Sequence, residues 1–258
     1  MSRSNNTEII SPVKRHFEWS GSEGCIKYFD KTKGEKGENI LLKLPFTFLV
    51  LDRLTTMRGF SDADNSGIWS NEIRDLKKET LTVRTKKGII GQGLYETLDA
   101  VKNKGAQYAQ SVYIAYYDEN KELSIGNLLM TGSSIGPWID LLKGKDIYKY
   151  AVIIKEKKEE KKGATKFFAP VFNLTTVKPE TDNKAIDLDK ELQTYLKAYF
   201  SRNATQQTEQ QNLAPEDVIT KEQKEGVKEL ENEQPWKSRE KGDFSNDGEE
   251  YDDSDLPF

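Results

Sequence analysis

The feature that most constrains the fold is a repeated alternation, between Trp19 and Leu174, of short apolar stretches with polar, turn-rich segments. The apolar stretches are rich in β-branched and aromatic residues, which is typical of β-strands. The strand candidates are residues 25–29, 40–44, 46–51, 81–85, 111–117, 148–154 and 166–174. Residues 62–70, by contrast, are mostly polar and contain a glycine, which favours a loop. The pattern predicts a mainly β protein.

Helical spacing of apolar residues marks three further segments. Residues 94–101 are a short candidate that Gly105 would end, and a second candidate begins at Ser133 or Ser134 and runs to Leu142. The third covers residues 187–200 and is amphipathic. This order of elements favours an OB-fold-like β-barrel with short helices and a C-terminal helix, with a β-sandwich as the alternative. The charged segment 155–163 predicts an exposed β-hairpin with a basic arm.

The charges divide the chain into two unlike parts. From Ser201 onward there are 7 basic and 16 acidic residues, whereas the preceding part has 32 basic and 27 acidic residues. The basic body favours a polyanionic ligand, and the acidic part has too few apolar residues to fold alone. We predict a flexible N-terminal arm over residues 1–15, an OB-like domain over 16–180, an amphipathic helix over 181–203 and a disordered, acidic, partner-binding tail over 204–258.

Residue types that usually carry chemistry are scarce. Cys25 is the only cysteine and His16 the only histidine, so neither a disulfide nor a zinc site of Cys and His ligands can form within the chain. No arrangement of carboxylates or of Ser, His and Asp suggests catalysis. The N-terminus has no apolar signal core, and no run of apolar residues reaches membrane-spanning length. We therefore predict a cytoplasmic protein that is not an enzyme and uses neither a metal nor a cofactor.

Several residues of the body combine aromatic rings with neighbouring cations. Aromatic faces stack on the bases of single-stranded nucleic acid, and cations follow its phosphates. The candidate binding residues are Trp69, Phe60, Arg58, Arg74, Tyr113, Tyr117, Tyr148, Tyr150 and Lys149. Trp69 is the leading candidate because its neighbours are polar and typical of a loop. The alternative for each of these rings is ordinary packing in the core of a β-barrel.

The C-terminus combines charge, a hydrophobe and a terminal ring. Its last residues include Asp252, Asp253, Asp255, Leu256, Pro257 and Phe258. An apolar pocket can hold the Phe258 ring while a basic group holds the α-carboxylate on the same residue. Pro257 restricts the backbone, so less conformational entropy remains to be lost on binding. These residues predict a docking peptide for a partner with a basic surface.

This ending resembles the acidic C-terminal tip of bacterial single-stranded DNA-binding proteins, which finish in Asp-Ile-Pro-Phe where this chain has Asp-Leu-Pro-Phe. The resemblance covers the tip alone, because the body does not match the bacterial pattern. It implies single-stranded DNA binding in replication, recombination or repair, with the tip recruiting partner proteins. It also implies a divergent, phage-encoded counterpart acting in the cytoplasm of a bacterial host cell.

Alternatives of other classes follow from the same residues. Gln193, Leu196, Tyr199 and Phe200 have the spacing of peptides that dock on sliding clamps, although an amphipathic helix packed on the body has the same spacing. A protein-interaction or virion-associated adaptor would have buried tyrosines and scattered lysines. A nuclease would need a carboxylate cluster around a metal, which we cannot assemble from this sequence.

Overall fold

In the computed structural model, the backbone is described for residues 10–212 and the side chains for residues 10–202. Within this range, eleven strands join into one large, open, mixed sheet and a long helix follows them. The predicted mainly β architecture with a C-terminal helix is therefore confirmed. The strands are β1 Arg15–Ser20, β2 Cys25–Asp30, β3 Glu38–Leu42, β4 Phe46–Ser61, β5 Ser66–Ser70, β6 Leu81–Thr85, β7 Gly88–Gly93, β8 Ala106–Tyr117, β9 Leu123–Met130, β10 Ala151–Lys162 and β11 Thr165–Thr175.

The strands lie side by side in the order β3-β2-β1-β9-β8-β4-β5-β6-β7, and β10 pairs with both β4 and β11. Among these pairs only β1 with β9 is parallel. Three helices accompany the sheet: α1 Asp99–Lys102, α2 Ile135–Leu142 and α3 Pro179–Asn212. The first strand begins at Arg15, at the predicted boundary between the arm and the body.

Strand β4 organises the sheet because it is long enough to pair with three others. It pairs with β10 near its start, with β8 along most of its length and with β5 near its end. Its register with β8 shifts between Val50 and Asp52, and such a bulge bends a strand. The first half of β4 lines the main core around Trp138 of α2, which is fully buried. The Trp138 indole Nε1 donates a hydrogen bond to Gln110 Oε1 at 2.9 Å.

The second half of β4 belongs to a smaller lobe, which we define as β5, β6, β7, α1 and the adjoining parts of β4 and β8. Its own core includes Met57, Ile68, Val83, Leu98 and Val101. The helix predicted over residues 94–101 is present as two short pieces, a 3₁₀ turn at Tyr95–Thr97 followed by α1. The chain then turns through a glycine, Gly105, whose φ of +98° favours glycine.

Two further elements agree with the sequence patterns. A capping box between Thr131 and Ser134 leads through a 3₁₀ turn into α2, so the predicted helix ending at Leu142 is confirmed. Strands β10 and β11 form the predicted charged hairpin. Within it, salt bridges join Lys158 to Glu160 and Lys166 to Glu159, which reduces the positive charge that the arm presents to a polyanion.

Helix α3 confirms the predicted amphipathic helix but is longer, because it begins at Pro179 and continues past residue 203 to Asn212. Leu192 and Leu196 are both 0% exposed and pack with Leu54, Tyr113 and Ile125 of the sheet. Helix α3 thus covers one face of β4, β8 and β9. The predicted tail beyond residue 212, including the tip, lies outside the described residues.

Two segments differ from their predicted local structure. Residues 62–70 are not a loop: β4 runs to Ser61, a turn follows, and β5 begins at Ser66. The serines that suggested a loop are satisfied within the sheet, since Ser70 Oγ accepts from Met57 N and donates to Asn71 O, both at 2.8 Å. The strand predicted from residue 148 begins instead at Ala151, after a 3₁₀ turn at Ile147–Lys149.

Candidate nucleic-acid interface

Four side chains form a row across four neighbouring strands of the lobe. Arg58 of β4 lies opposite Gln107 of β8 on one side and opposite Trp69 of β5 on the other. Trp69 in turn lies opposite Arg84 of β6. Residues directly opposite each other in antiparallel strands share a face, with Cβ atoms about 4.5–5.5 Å apart. The row therefore places an indole between two guanidinium groups.

A second pair of residues widens this surface. Phe60 lies two residues beyond Arg58 on the same face of β4, and Gly67 of β5 lies directly opposite it. Phe60 is 37% exposed, Gln107 is exposed, and Arg58, Trp69 and Arg84 are partly exposed. We name this surface the Trp69 face; it consists of Phe60, Arg58, Gly67, Trp69, Arg84 and Gln107.

The pleat of the strands explains why the Trp69 face looks outward. Met57, Ile68 and Val83 alternate with the residues of the row along the same strands and point the other way, into the core of the lobe. Leu54 shares the face of β4 with Arg58, and α3 covers it. The Trp69 face is therefore the continuation of the sheet surface under α3.

The charges beside this face are unevenly neutralised. The Lys87 ammonium lies 2.7 Å from a carboxylate oxygen of Asp64 and, as the largest cause, holds the pKa of that carboxyl below its ordinary value. Lys86, at the end of β6, donates to the Asn65 carbonyl oxygen at 3.2 Å. The Asp64 carboxylate of the β4–β5 turn is thus paired with Lys87. Arg58, Arg84 and Lys86 lie on the side that a polyanion would approach.

The structure places Arg74 away from this face. Its guanidinium makes a bidentate pair with the Asp52 carboxylate, at 3.1 and 2.8 Å, and lies over the Phe200 ring of α3 at 5.2 Å. Gln193 of α3 also donates to Asp52, at 3.0 Å. Arg74, a predicted binding residue, is therefore not part of the Trp69 face, because its partner Asp52 holds it where α3 attaches.

Tyr113 is also outside the Trp69 face. Its side chain lies under α3 at 5% exposure, and its hydroxyl donates to Glu72 Oε2 at 2.7 Å. Burial, and next the charge of Glu72, raise the pKa of Tyr113. A base cannot stack on this ring while α3 is in place, so we leave Tyr113 out of the candidate interface.

The remaining predicted rings are exposed but lie on other surfaces. Tyr117 ends β8, far from Gln107, and its hydroxyl is 3.0 Å from Thr181 Oγ1 of α3. Tyr148 and Tyr150 flank Lys149, whose ammonium lies 3.0 Å from Asp146, which raises the Lys149 pKa. Arg53 donates to the Tyr148 hydroxyl at 3.5 Å and, being an odd-numbered residue of β4, points to the face opposite Arg58.

The residues with sliding-clamp spacing are used for packing. Leu196 is buried in the cluster under α3, and Phe200 packs at its margin. The Tyr199 hydroxyl accepts a hydrogen bond from Glu72 N at 2.9 Å, and Gln193 bonds to Asp52. All four side chains face the body, as expected for the alternative of an amphipathic helix packed on the body.

The sequence alone therefore pointed to only part of the Trp69 face. Phe60, Trp69 and Arg58 are brought together, whereas Arg84 and Gln107 join them only through strand register. The alternation in residues 81–85 was a usable signal, because it put Arg84 between two buried residues on a strand. Within residues 10–202, no three His, Cys, Asp or Glu side chains are grouped closely enough to hold a metal ion. No helix in the part of the chain that the structure describes is long and apolar enough to cross a membrane.

Comparisons with protein-family models, with curated proteins and with solved structures each gave no match to this chain.

Proposed function

We propose that the protein binds single-stranded DNA without sequence preference and protects it in replication, recombination and repair, and that its acidic tip recruits partner proteins. The observation that carries the proposal is the row Arg58–Trp69–Arg84, with Phe60 beside it. An exposed ring between cations is the arrangement that non-specific single-strand binding requires, because every base has a face for stacking and every nucleotide a phosphate. In a phage-encoded protein, this activity belongs in the host cytoplasm.

The connectivity of the sheet supports an OB-like relationship. When the lobe between them is set aside, β4, β8 and β9 follow one another in the chain and pair antiparallel. Helix α2 then leads to the hairpin of β10 and β11. Strand β10 returns to pair with β4. This order agrees with that of the five strands and one helix of an OB-fold, with β4 in the place of the first strand. OB-folds bind oligonucleotides with the face of their second and third strands and with the loops between strands 1 and 2 and strands 4 and 5. In this comparison the lobe takes the place of the loop between strands 1 and 2. The turn of the charged hairpin takes the place of the loop between strands 4 and 5.

Two additions distinguish this chain from a minimal OB-fold. Strand β1 pairs with β9 at the edge where such a barrel would close, and α3 covers the face of the strands equivalent to the second and third. Because α3 occupies the face that binds oligonucleotides in OB-folds, binding would fall to the lobe beside it. The lobe keeps aromatic and basic side chains accessible. This supports binding on the Trp69 face rather than under α3.

The adaptor alternative is less well supported by the placement of the tyrosines. An adaptor of that kind was expected to bury its tyrosines, whereas Tyr117, Tyr148 and Tyr150 are 40–54% exposed. Binding to nucleic acid remains the function that the residues on the surface favour.

The proposal is tested by fluorescence-anisotropy titration of oligo-dT, oligo-rU and duplex DNA of equal length, at low and at raised salt. We expect the single strands to bind more tightly than the duplex, and the affinity to fall as salt rises, because released counterions drive binding to phosphates. Absence of binding to any of the three at low salt would refute the proposal and favour a protein-interaction module.

A further inference from the structure

We propose that Gly67 is the floor of a notch that holds one nucleobase between the rings of Phe60 and Trp69. This inference rests on the proposed function and assigns a binding role to a residue that carries no side chain. It predicts that the lobe holds a base by enclosing it, rather than by stacking it on one exposed ring.

The strand register defines the notch. Phe60 lies opposite Gly67, and Trp69 lies two residues farther along the same face of β5. Phe60 and Trp69 are thus diagonal neighbours, for which a sheet gives a separation of about 7–8 Å. Aromatic carbons pack at about 3.5–4 Å, so two rings that enclose a flat base need about 7–8 Å between them. The spacing fits a single base.

Gly67 leaves this space empty. A Cβ built on it would have no heavy atom outside its chain neighbours within 4 Å. By contrast, a Cβ on Gly59 would overlap the Gly105 carbonyl oxygen, and a Cβ on Gly105 the Phe60 carbonyl oxygen, so those glycines are required by the fold. Gly67 also lacks the positive φ that favours glycine.

The fold therefore gives no reason for a glycine at this position. Glycine weakens a strand interior, and where it occurs there it often marks a bulge or the close approach of a ligand. The pairing of β5 with β4 runs without a register shift from Ser61 to Arg58, so no bulge explains Gly67. Of the two usual reasons for a glycine inside a strand, the close approach of a ligand is the one that is left.

Cations lie where the phosphates of a bound strand would run. Arg58 and Arg84 flank Trp69, on the side of the notch away from the β4–β5 turn. Lys86 follows β6 at the level of the turn and is exposed. A base inserted over Gly67 would leave its own phosphate and the next one within reach of these three side chains.

The test fills the notch and measures binding of oligo-dT and of an oligonucleotide of the same length made only of abasic sites. The variants are Gly67→Ala and Gly67→Val, with Gly136→Ala as the matched control, because Gly136 of α2 also has open space around its Cβ. We expect Gly67→Val to weaken oligo-dT binding by roughly 5- to 150-fold, the range for loss of one stacked base. Gly67→Ala should have a smaller effect, and Gly136→Ala none.

Binding of the abasic oligonucleotide should be the same for all variants, because it has no base to insert. Thermal unfolding should show Gly67→Val to be as stable as the native protein or more so, since a β-branched residue suits a strand. If Gly67→Val bound oligo-dT like the native protein while Trp69→Ala and Phe60→Ala were weakened, the notch would be refuted and the proposed function would stand. If the native protein bound no oligonucleotide, the proposed function itself would fail.

Discussion

Trp69 shows how much of a candidate binding residue's environment is set by its partners on adjacent strands. The indole is fixed between Arg58 and Arg84 by two independent strand registers. Gly67, two residues earlier on the same face of β5, has open space at its Cβ position. Arginine beside an aromatic ring also binds phosphate and stacks on bases, so the two residue types act together on a single strand.

Removing this ring should weaken DNA binding without unfolding the lobe. We expect Trp69→Ala to lower the affinity for oligo-dT by about 1–3 kcal/mol, or roughly 5- to 150-fold, because one stacked base is lost. Anisotropy titration at fixed salt measures this change. Leu41→Ala removes an exposed hydrophobe of β3, outside the Trp69 face, and serves as the control. Equal affinities of the two variants would place the binding surface elsewhere.

Whether the sequence could predict a residue's place on the Trp69 face depended on how local that residue's interactions are. Phe60, Arg58 and Trp69 could be selected because they lie close together in the sequence, although the expected loop is a hairpin. Arg74 lies equally close, but its position depends on Asp52, which is 22 residues earlier. Arg84 and Gln107 depend on strand register, which the composition of a segment does not encode.

At the scale of elements, α3 decides which sheet surface remains available. Its buried leucines cover β4, β8 and β9. Two polar contacts hold its middle: Gln193 and Arg74 bond to Asp52, and the Tyr199 hydroxyl accepts from Glu72 N. The amphipathic pattern of residues 187–200 predicted the helix. It could not predict the face of the sheet that α3 covers, because several apolar sheet faces of similar size compete for one helix.

The packing of α3 can be tested at Leu196. We expect Leu196→Ala to lower the free energy of unfolding by about 2–5 kcal/mol, because it leaves a cavity in a closely packed cluster. Urea denaturation measures this change. Ile186→Ala, on the exposed side of the same helix, should stay within about 0.5 kcal/mol of the native protein. Similar small effects of both substitutions would instead favour α3 as a detachable docking peptide.

The buried hydroxyl of Tyr113, which donates to Glu72 under α3, should make the free energy of unfolding fall at alkaline pH. The pKa of Tyr113 is raised by burial and by Glu72, whereas an unfolded tyrosine ionises near pH 10. Its contribution to stability is therefore complete below about pH 10 and is lost as the pH rises further. Tyr113→Phe should cost about 1.5–3 kcal/mol at pH 7, since the acceptor is charged.

Because phenylalanine does not ionise, the stability difference between Tyr113→Phe and the native protein should shrink above pH 10. Urea denaturation between pH 7 and pH 11 follows both proteins. A difference that stayed constant over this range would mean that Tyr113 ionises equally in the folded and unfolded states, contrary to its burial.

At the scale of the whole molecule, the separation of charge links the body to the tail. Under the proposed function, a basic body followed by an acidic tail would let the tail compete weakly with DNA and reach a partner when DNA displaces it. Composition alone predicted this separation, because net charge needs no knowledge of the fold. The open sheet, the lobe and the covered face needed the structure, since they depend on contacts between distant parts of the chain.

Deleting residues 252–258 should leave oligo-dT affinity equal or higher at low salt and should abolish binding of partner proteins. The gain in affinity should disappear at raised salt, because salt screens the acidic residues. Phe258→Ala keeps those charges and separates the two effects: it should bind DNA like the native protein but lose the partner. Weaker DNA binding after the deletion would refute competition by the tail.

Photo-crosslinking tests the central claim most directly, because it reports both binding and its location. Oligo-dT carrying 5-iodouracil would be irradiated with the intact protein, and the crosslinked residues would be identified by mass spectrometry. We predict crosslinks at Phe60 and Trp69 that are lost when unlabelled oligo-dT competes. Crosslinks confined to Tyr117, Tyr148 or Tyr150, with none on the Trp69 face, would contradict the account.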